Sequence, residues 1–418
     1  MAKLKGVIFG VENVLIKPGD IRPHIPTLEE TGRLVRFLNS QGVESVVLTN
    51  RDWYVDTTPF DRKPLKDFIR DLWGVDLTWY QCGQGGVPAK QTADSIKYVR
   101  DQRGWQPNET LLVGNTDIDM QAAVNGKILL LNAHWYENTM DYGFPCETPK
   151  EVARFIDIFC FRDQFWYFKI EDGPLQVYSL APLGSFYEES KYYSNNFLAN
   201  VKDQLAHDEE FWARLLLTST YFDGIYETVD YIAAYPKHEA GKHPQVLIGP
   251  MAKFGHCFRA RCLTDLLRRH TTALKSQFNR STVTHTTQLN SINLERHPNR
   301  ISKGQPKQYK NFPIDSSSTV LVIDDVCTKG MSFEAARMYL NKVGARVICV
   351  SFLKALKHDY EALASVMLPH GVFGPNNVVT MTRGKTYRLG EHIIDSAAAT
   401  KLDQRLRNYK NWEWPIGI

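Results

Sequence analysis

The sequence predicts an α/β protein of two domains, each built on a parallel sheet flanked by helices. Three observations carry this. The chain has 418 residues, a length suited to two or three domains. Short apolar runs alternate with longer amphipathic stretches along most of it, the pattern of repeated βα units. Several apolar runs end in polar or acidic residues, and open α/β sheets bind ligands at the carboxyl edge of their strands.

In chain order, KGVIFGV reads as a strand, followed by a connection with Pro18, Pro23 and Pro26. TLEETGRLVRFLNSQG reads as a helix: Thr27 and Glu30 have capping-box spacing, Leu34, Val35 and Leu38 form one buried face, and Gly42 ends it. VESVVLTN is the next strand. ADSIKYVRDQRG reads as helix, ETLLVGNTD as strand into loop, MQAAVNG as the start of a helix and KILLLNA as strand. The aromatic-rich stretch EVARFIDIFCFRDQFWYF is helical in pattern and marks the boundary between domains at 1–155 and 156–418. A second set of βα units follows: VDYIAAYPKHEAG is strand into polar loop, STVLVIDDVCTKGMSFEAARMYLNKVG is strand, loop and helix, and ARVICVSFLKA is strand. Residues from about 280 to 318 have no clear periodicity, and such stretches in a compact domain are usually functional or mobile.

The totals exclude several classes. A hydrophobic content of 43% and a charged content of 23% are ordinary for a globular chain. The net charge of +4 is too mild to point to nucleic acid, though a local basic patch leaves that partner open. The seven cysteines include no CxxC pair; Cys257 and Cys262 are closest. Their odd, sparse count fits a reducing cytosol, so a cytoplasmic protein is expected. MAKLKG leads directly into a strand rather than a signal sequence, and no run of about 18 apolar residues suggests a membrane span.

The strongest local signal is VLVIDDVCTKGMS. Val320 to Ile323 read as a buried strand with Asp324 and Asp325 at its carboxyl end. Thr328, Lys329, Gly330, Met331 and Ser332 then form a turn before a helix starting near Phe333. A helix N-terminus presents free N–H groups and a positive dipole end, which suit a phosphate. Thr328 and Ser332 add hydroxyls, and Gly330 permits backbone geometry closed to other residues. Paired carboxylates accept hydrogen bonds from neighbouring sugar hydroxyls or hold a divalent ion. The competing reading is an acid pair that merely caps the helix.

This stretch resembles the phosphoribosyl pyrophosphate (PRPP) motif of type I phosphoribosyltransferases, with departures at Lys329 and Met331. The resemblance, over about residues 165 to 400, implies a parallel sheet with a hood. It assigns Asp324 and Asp325 to the ribose and to Mg²⁺, and Thr328 to Ser332 to the 5′-phosphate. The family's pyrophosphate loop falls on Tyr235, Pro236 and Lys237, where a plain surface turn is the alternative. QLNSINLERHPNRISKGQPK resembles the ComF branch, with Leu289, Arg296 and Asn299 as candidates. Residues 296–310 contain five Lys or Arg and no acid. The family has a mobile loop there that stabilises departing pyrophosphate, which makes Arg300 and Lys303 the catalytic candidates; a solvated basic loop is the alternative. The implied cofactor is Mg²⁺ with PRPP, and the acceptor is unidentified.

VIFGVENVL is the first strand running into a polar turn. With VVLTN, Lys90 and LLVGNTDIDMQAA it resembles the four motifs of the haloacid dehalogenase (HAD) superfamily over residues 5 to 150. The resemblance puts Gly10 where the nucleophilic Asp belongs, Glu12 at the acid/base position, Thr49 at the phosphate-binding hydroxyl and Lys90 at the motif lysine. Asn115 and Asp119 take the metal-binding acidic positions. Glycine cannot form a phosphoryl-enzyme, and asparagine is a weaker ligand than aspartate for a hard cation. No HAD phosphatase activity is expected, and a purely structural domain is favoured over one that retains phosphate binding. Two Rossmann-like domains result, HAD-like and then phosphoribosyltransferase-like.

His134, His207 and the HPNR segment lack metal-ligand spacing. The aromatic cluster Phe161, Phe165, Trp166, Tyr167 and Phe168 reads as core or interface, and the apolar tail YKNWEWPIGI as docked on the body or a partner. The expected function is Mg-dependent transfer of phosphoribosyl from PRPP with pyrophosphate release. The alternative is a non-catalytic PRPP or nucleotide sensor, or a scaffold in a bacterial stress or defence system. A protein partner through the first domain and a homodimer are further expectations.

Overall fold

The computed structural model describes residues 3–418 apart from residues 20–21, 59–60, 185–187, 204–207, 243–244, 273–282, 303–304 and 377. The first part comprises β1 (Gly6–Phe9), α1 (Ile25–Ser40), β2 (Glu44–Thr49), the hairpin β3 (Tyr54–Thr58) and β4 (Asp61–Pro64), α2 (Leu65–Trp73), β5 (Thr78–Gln81) and α3 (Ala93–Arg103). It continues with β6 (Thr110–Gly114), α4 (Asp117–Gly126), β7 (Leu129–Ala133), β8 (Phe144–Cys146) and α5 (Pro149–Phe155). Its six-stranded sheet has the order β5-β2-β1-β6-β7-β8, and every neighbouring pair is parallel. The chain winds one way from β1 to β5 and the other way from β6 to β8. The reversal leaves a crevice between the ends of β1 and β6, the kind of switch point at which open sheets bind ligands.

The second part comprises β9 (Phe168–Asp172), β10 (Leu175–Leu183), α6 (Glu188–Asp203), α7 (Glu209–Phe222), β11 (Tyr231–Ala234), α8 (Gln245–Phe258), β12 (Arg261–Leu263) and β13 (Leu267–Arg269). Then come α9 (His285–Leu289), β14 (Ile292–Leu294), β15 (Asn299–Ser302), β16 (Gln305–Gln308), β17 (Thr319–Cys327) and α10 (Met331–Asn341). β18 (Arg346–Ala355), β19 (Tyr360–Met367), β20 (Thr380–Tyr387) and α11 (Ala398–Lys410) complete it. The eight-stranded sheet has the order β16-β15-β12-β11-β17-β18-β10-β9. β12, β11, β17, β18 and β10 are parallel, whereas β15 and β9 join antiparallel to their neighbours. The winding reverses again, between β11 and β17. β13–β14 and β19–β20 form separate two-stranded pieces.

Four local expectations are corrected. α1 starts at Ile25, with His24 and not Thr27 as its cap, because Pro26 is tolerated in a first turn. α4 starts at Asp117: Thr116 accepts from the N–H of Asp119 at 3.2 Å, and Asp119 closes a capping box, so MQAAVNG is most of a helix and not its beginning. The aromatic stretch is helical only to Cys160; α5 widens into a π-helical turn at Ile156–Cys160, and β9 begins at Phe168. Its aromatic rings are nonetheless core, with Phe165 stacked on Phe222 at 5.0 Å. β17 runs through the acid pair to Cys327, and α10 starts at Met331, two residues before Phe333.

The two sheets share one hydrophobic cluster, running from Val7 and Leu34 through α7 to Leu321 and Ile323. α7 is wholly buried from Phe211 to Phe222, and the Tyr221 hydroxyl bonds to the Thr110 carbonyl of β6 at 2.6 Å. The C-terminal tail docks on the body. Trp412 packs edge-on to Phe37 and donates its indole N–H to Asp157 at 2.7 Å. Arg33 donates to the Ile418 carbonyl at 2.7 Å and stacks over Trp414. All seven cysteines are free thiols, and no helix among the described residues is long and apolar enough to cross a membrane. Trp412→Ala removes a buried ring and its hydrogen bond, and is expected to cost about 3–5 kcal/mol in denaturant unfolding.

Candidate functional site

The structure gathers the six motif residues of the first part at the switch point of its sheet. Gly10 follows β1, Thr49 ends β2, and Asn115 follows β6. A Cβ on Gly10 would lie 2.9 Å from Oδ1 of Asp119, and one on Gly114 only 2.5 Å from its Cβ. Two glycines therefore make the room in which the Asp119 side chain lies. Its Oδ1 pairs with Lys90 Nζ at 2.5 Å, and both side chains are almost wholly buried. Its Oδ2 accepts from the N–H groups of Asn115 and Thr116 and from the Thr116 hydroxyl, at 2.8–3.1 Å. A side chain at position 10 would thus start out against a carboxylate that is already paired with Lys90.

The neighbouring groups are committed as well. Asn115 is buried and donates to Asn132 Oδ1 and to the carbonyls of Ala133 and Glu137, while its own Oδ1 accepts from Thr139. Thr49 Oγ1 donates to the Arg51 carbonyl at 3.0 Å and accepts from Trp53 Nε1 at 2.9 Å. Glu12 is partly exposed, with an Arg51 nitrogen 3.7 Å away. Arg51 in turn stacks over the Trp53 ring at 4.0 Å.

The second switch point is built differently. Ala234 and Ile323 pair side by side at the ends of β11 and β17. Tyr235–Lys237 therefore lies beside Asp324 and Asp325, and two stretches some ninety residues apart share one crevice. Asp324 accepts from the N–H of Asp325 at 2.9 Å, and Asp325 from that of Val326 at 2.6 Å. The Asp324 carboxyl is pushed well above the ordinary aspartate value, first by burial and then by the adjacent Asp325; the Arg269 guanidinium opposes this. Such a pair gains from an incoming cation or from hydroxyl donors.

Arg269 was not legible in the sequence. It is buried, on β13, and donates to the Lys237 carbonyl at 2.6 Å and to Gln288 Oε1 at 3.0 Å. Tyr235 is buried under it and donates to the same Gln288 oxygen at 2.8 Å. Burial pushes the Tyr235 phenol up to about 12. Tyr235 and Pro236 are thus supports under the loop rather than surface groups, and Lys237 contributes its main chain to the Arg269 contact.

The turn from Thr328 to Ser332 has its carbonyls tied back. The Thr328 carbonyl accepts from Lys354 Nζ at 2.6 Å, the Lys329 carbonyl from the N–H of Glu361 at 2.9 Å, and the Gly330 carbonyl from the N–H of Glu334 at 2.8 Å. Gly330 has φ +82°, and a Cβ there would lie 2.1 Å from the Tyr360 ring. The first amides of α10 follow this turn and, as at any helix N-terminus, have no intrahelical acceptor. Lys329 pairs with Glu361 at 2.9 Å. Met331 and Ser332 are half-buried in the first turn of α10.

Other candidates lie apart. Arg300 is on β15, three strands from the acid pair, on the order of 14 Å at sheet spacing. Its guanidinium packs over Tyr309. Lys303 falls outside the described residues. Leu289 is core, Arg296 stacks over Phe373 at 4.6 Å, and Asn299 bonds Asp265 through both its main chain and its amide. His207 also falls outside the described residues, while His134 faces Glu147 at 3.2 Å. Among the described residues, no group of three or more His, Cys, Asp or Glu could hold a metal ion by itself.

No family model matches the chain, and no curated protein does. Among solved structures, it is similar to a D,D-heptose 1,7-bisphosphate phosphatase from B. bronchiseptica complexed with magnesium and phosphate. That match has 16% identity and a TM-score of 0.28 and covers 36% of this chain and 96% of that one. A HAD-superfamily hydrolase from Geobacter sulfurreducens matches at 13% identity and TM-score 0.24, over 36% and 97% of the two chains. A structure from Lactobacillus delbrueckii subsp. bulgaricus whose name gives a phosphoglycolate phosphatase matches at 16% and 0.25. There the match covers 32% of this chain and about half, 53%, of the other.

Lys90→Met is expected to leave the buried Asp119 carboxylate without its cation and to cost about 3–5 kcal/mol, read by chemical denaturation. Gly330→Ala meets both an unfavourable φ and the Tyr360 ring. It is expected to lower the melting temperature by several degrees, the shift that about 1–3 kcal/mol gives.

Proposed function

We propose that the chain binds PRPP at the switch point between β11 and β17 and transfers its phosphoribosyl group to an acceptor. The first sheet serves it as a HAD-like scaffold without phosphatase chemistry. The observation that carries this reading is the order of parts along one sheet edge: an acid pair at the end of β17, then a glycine turn with its carbonyls tied back, leading into the N-terminus of α10. Asp324 and Asp325 suit the two ribose hydroxyls, because a carboxylate pair accepts from a diol and its mutual repulsion is relieved in doing so. The turn from Thr328 to Ser332 suits the 5′-phosphate, and the loop after Tyr235 lies on the side where pyrophosphate would extend.

The donor set fits Mg²⁺ in the way that ion is usually bound, through one or two carboxylates with the remaining ligands from water and substrate phosphates; bound there, it would offset charge on the pyrophosphate. In the reaction the bond from the anomeric carbon to pyrophosphate breaks and the pyrophosphate leaves with the electron pair. A bond from the acceptor's nucleophilic atom forms, and the acceptor loses a proton to solvent. The protein's part is to hold the ribose between the acid pair and the phosphate turn, so that positioning and charge stabilisation supply the catalysis. Arg300 and Lys303 are given no step, since the distance of the one and the undescribed position of the other leave them outside this geometry.

Calorimetric titration with Mg·PRPP tests the reading. Asp324→Asn/Asp325→Asn is expected to weaken binding at least about tenfold, the loss of roughly 1.4 kcal/mol. Equal affinity in both proteins would end the proposal. Pyrophosphate release over a panel of nucleobases and amines is expected with one acceptor class; saturable PRPP binding with no release across the panel would favour a sensor over a transferase.

A further inference from the structure

Lys354 is an unusual residue for its position. It sits in β18 with no exposed surface, beside Cys327 of β17, and its ammonium lies 5.2 Å from the Phe168 ring. Nζ donates to the carbonyls of Thr328 at 2.6 Å and His358 at 2.7 Å, with that of Ala355 at 3.4 Å. Among the described residues its hydrogen-bond partners are main-chain carbonyls, and no carboxylate is among them. Burial opposes its charge, and the more distant Asp359 favours it. The Cys327 thiol beside it is pushed up to about 12, mainly by burial, so it supplies no anion at neutral pH.

A buried charge without a close counter-charge is costly. Stacking on an aromatic face and donating to carbonyls offset only part of that cost. What remains is offset where an anion arrives nearby. The carbonyl that Lys354 holds belongs to Thr328, the first residue of the turn proposed for the 5′-phosphate, so the buried cation stands directly behind that turn.

We infer that Lys354 is a positioning residue for the proposed 5′-phosphate site, fixing the Thr328 peptide and supplying a buried positive charge that selects a doubly charged phosphate group; this rests on the PRPP-binding reading. The selection is electrostatic. A fixed cation held out of water favours a dianion over a monoanion of the same shape.

Ribose 5-phosphate and ribose 5-sulfate make the test, since they share shape but differ by one charge near neutral pH. Binding of each is measured by calorimetry to wild type, Lys354→Gln and Lys354→Met. Glutamine keeps hydrogen-bond donors for the carbonyls and removes the charge; methionine removes both. Wild type is expected to prefer the phosphate by at least about tenfold, and both variants to lose most of that preference. A purely structural lysine would weaken both ligands equally in the variants and leave the ratio intact, which would overturn the inference. Should neither variant fold, the wild-type protein still decides. The ³¹P shift of bound ribose 5-phosphate is expected to titrate well below the free monoester value of about 6, and an unshifted titration would overturn the inference. If wild type binds neither ribose 5-phosphate nor PRPP, the PRPP reading itself fails; if it binds both and the ratio survives in the variants, only the role of Lys354 does.

Discussion

The second site depends on one buried carboxylate, that of Glu334 in the first turn of α10. It accepts from the Tyr360 hydroxyl at 2.6 Å, from the N–H of Leu363 at 2.7 Å and from Arg337 Nε at 3.0 Å. A carboxylate in a helix's first turn is also favoured by the dipole. These bonds lock β19 against α10. With β19 fixed, the Tyr360 ring lies under Gly330, and the Glu361 N–H reaches the Lys329 carbonyl. Removing the carboxylate alone would strand a guanidinium, a phenol and an amide together, which makes the cluster a unit rather than a sum of pairs.

The two switch points show opposite electrostatic states of similar architecture. In the first, one cation and one carboxylate meet at 2.5 Å, and the carboxylate's other oxygen is saturated by N–H and hydroxyl donors. Both members of the pair are buried, so a ligand reaching Asp119 would meet it already bound to Lys90. In the second, adjacent acids repel one another, and among the described residues the lysine behind the turn donates to main-chain carbonyls and lies near an aromatic face. Thr49, Lys90 and Asp119 are all held by partners within the protein.

What could be read from the sequence was local and contiguous. Strand, acid pair, glycine turn and helix occur within fifteen residues, so their order along the chain is nearly their order in space. The absence of a carboxylate at Gly10 needed no structure. The boundaries missed were places where a neighbouring contact overrode propensity, as where the helix ends at Cys160 although the aromatic pattern continues. Long-range partners left no signal at all. Arg269 reaches Tyr235 and Lys237 from a strand of a separate two-stranded piece, and Lys354 looks like one more residue of an apolar strand. The placement of Asp119 beside Gly10 depends equally on Gly114, whose missing side chain carries no meaning until β6 is seen beside β1.

The first sheet also has a mechanical role that does not need its site. Its helix α1 receives the C-terminal tail through Phe37 and Arg33, and its strand β6 receives the hydroxyl of Tyr221 from α7. α7 is buried on all sides because it lies in the cluster shared by both sheets, and a helix of that kind has no solvent face on which to settle alone. Tail and helix are both covalently part of the second half of the chain. The first half therefore closes the hydrophobic surface of the second, and this requirement acts on packing positions such as Phe37 and Trp412. It acts through contacts of which Gly10 is not a part.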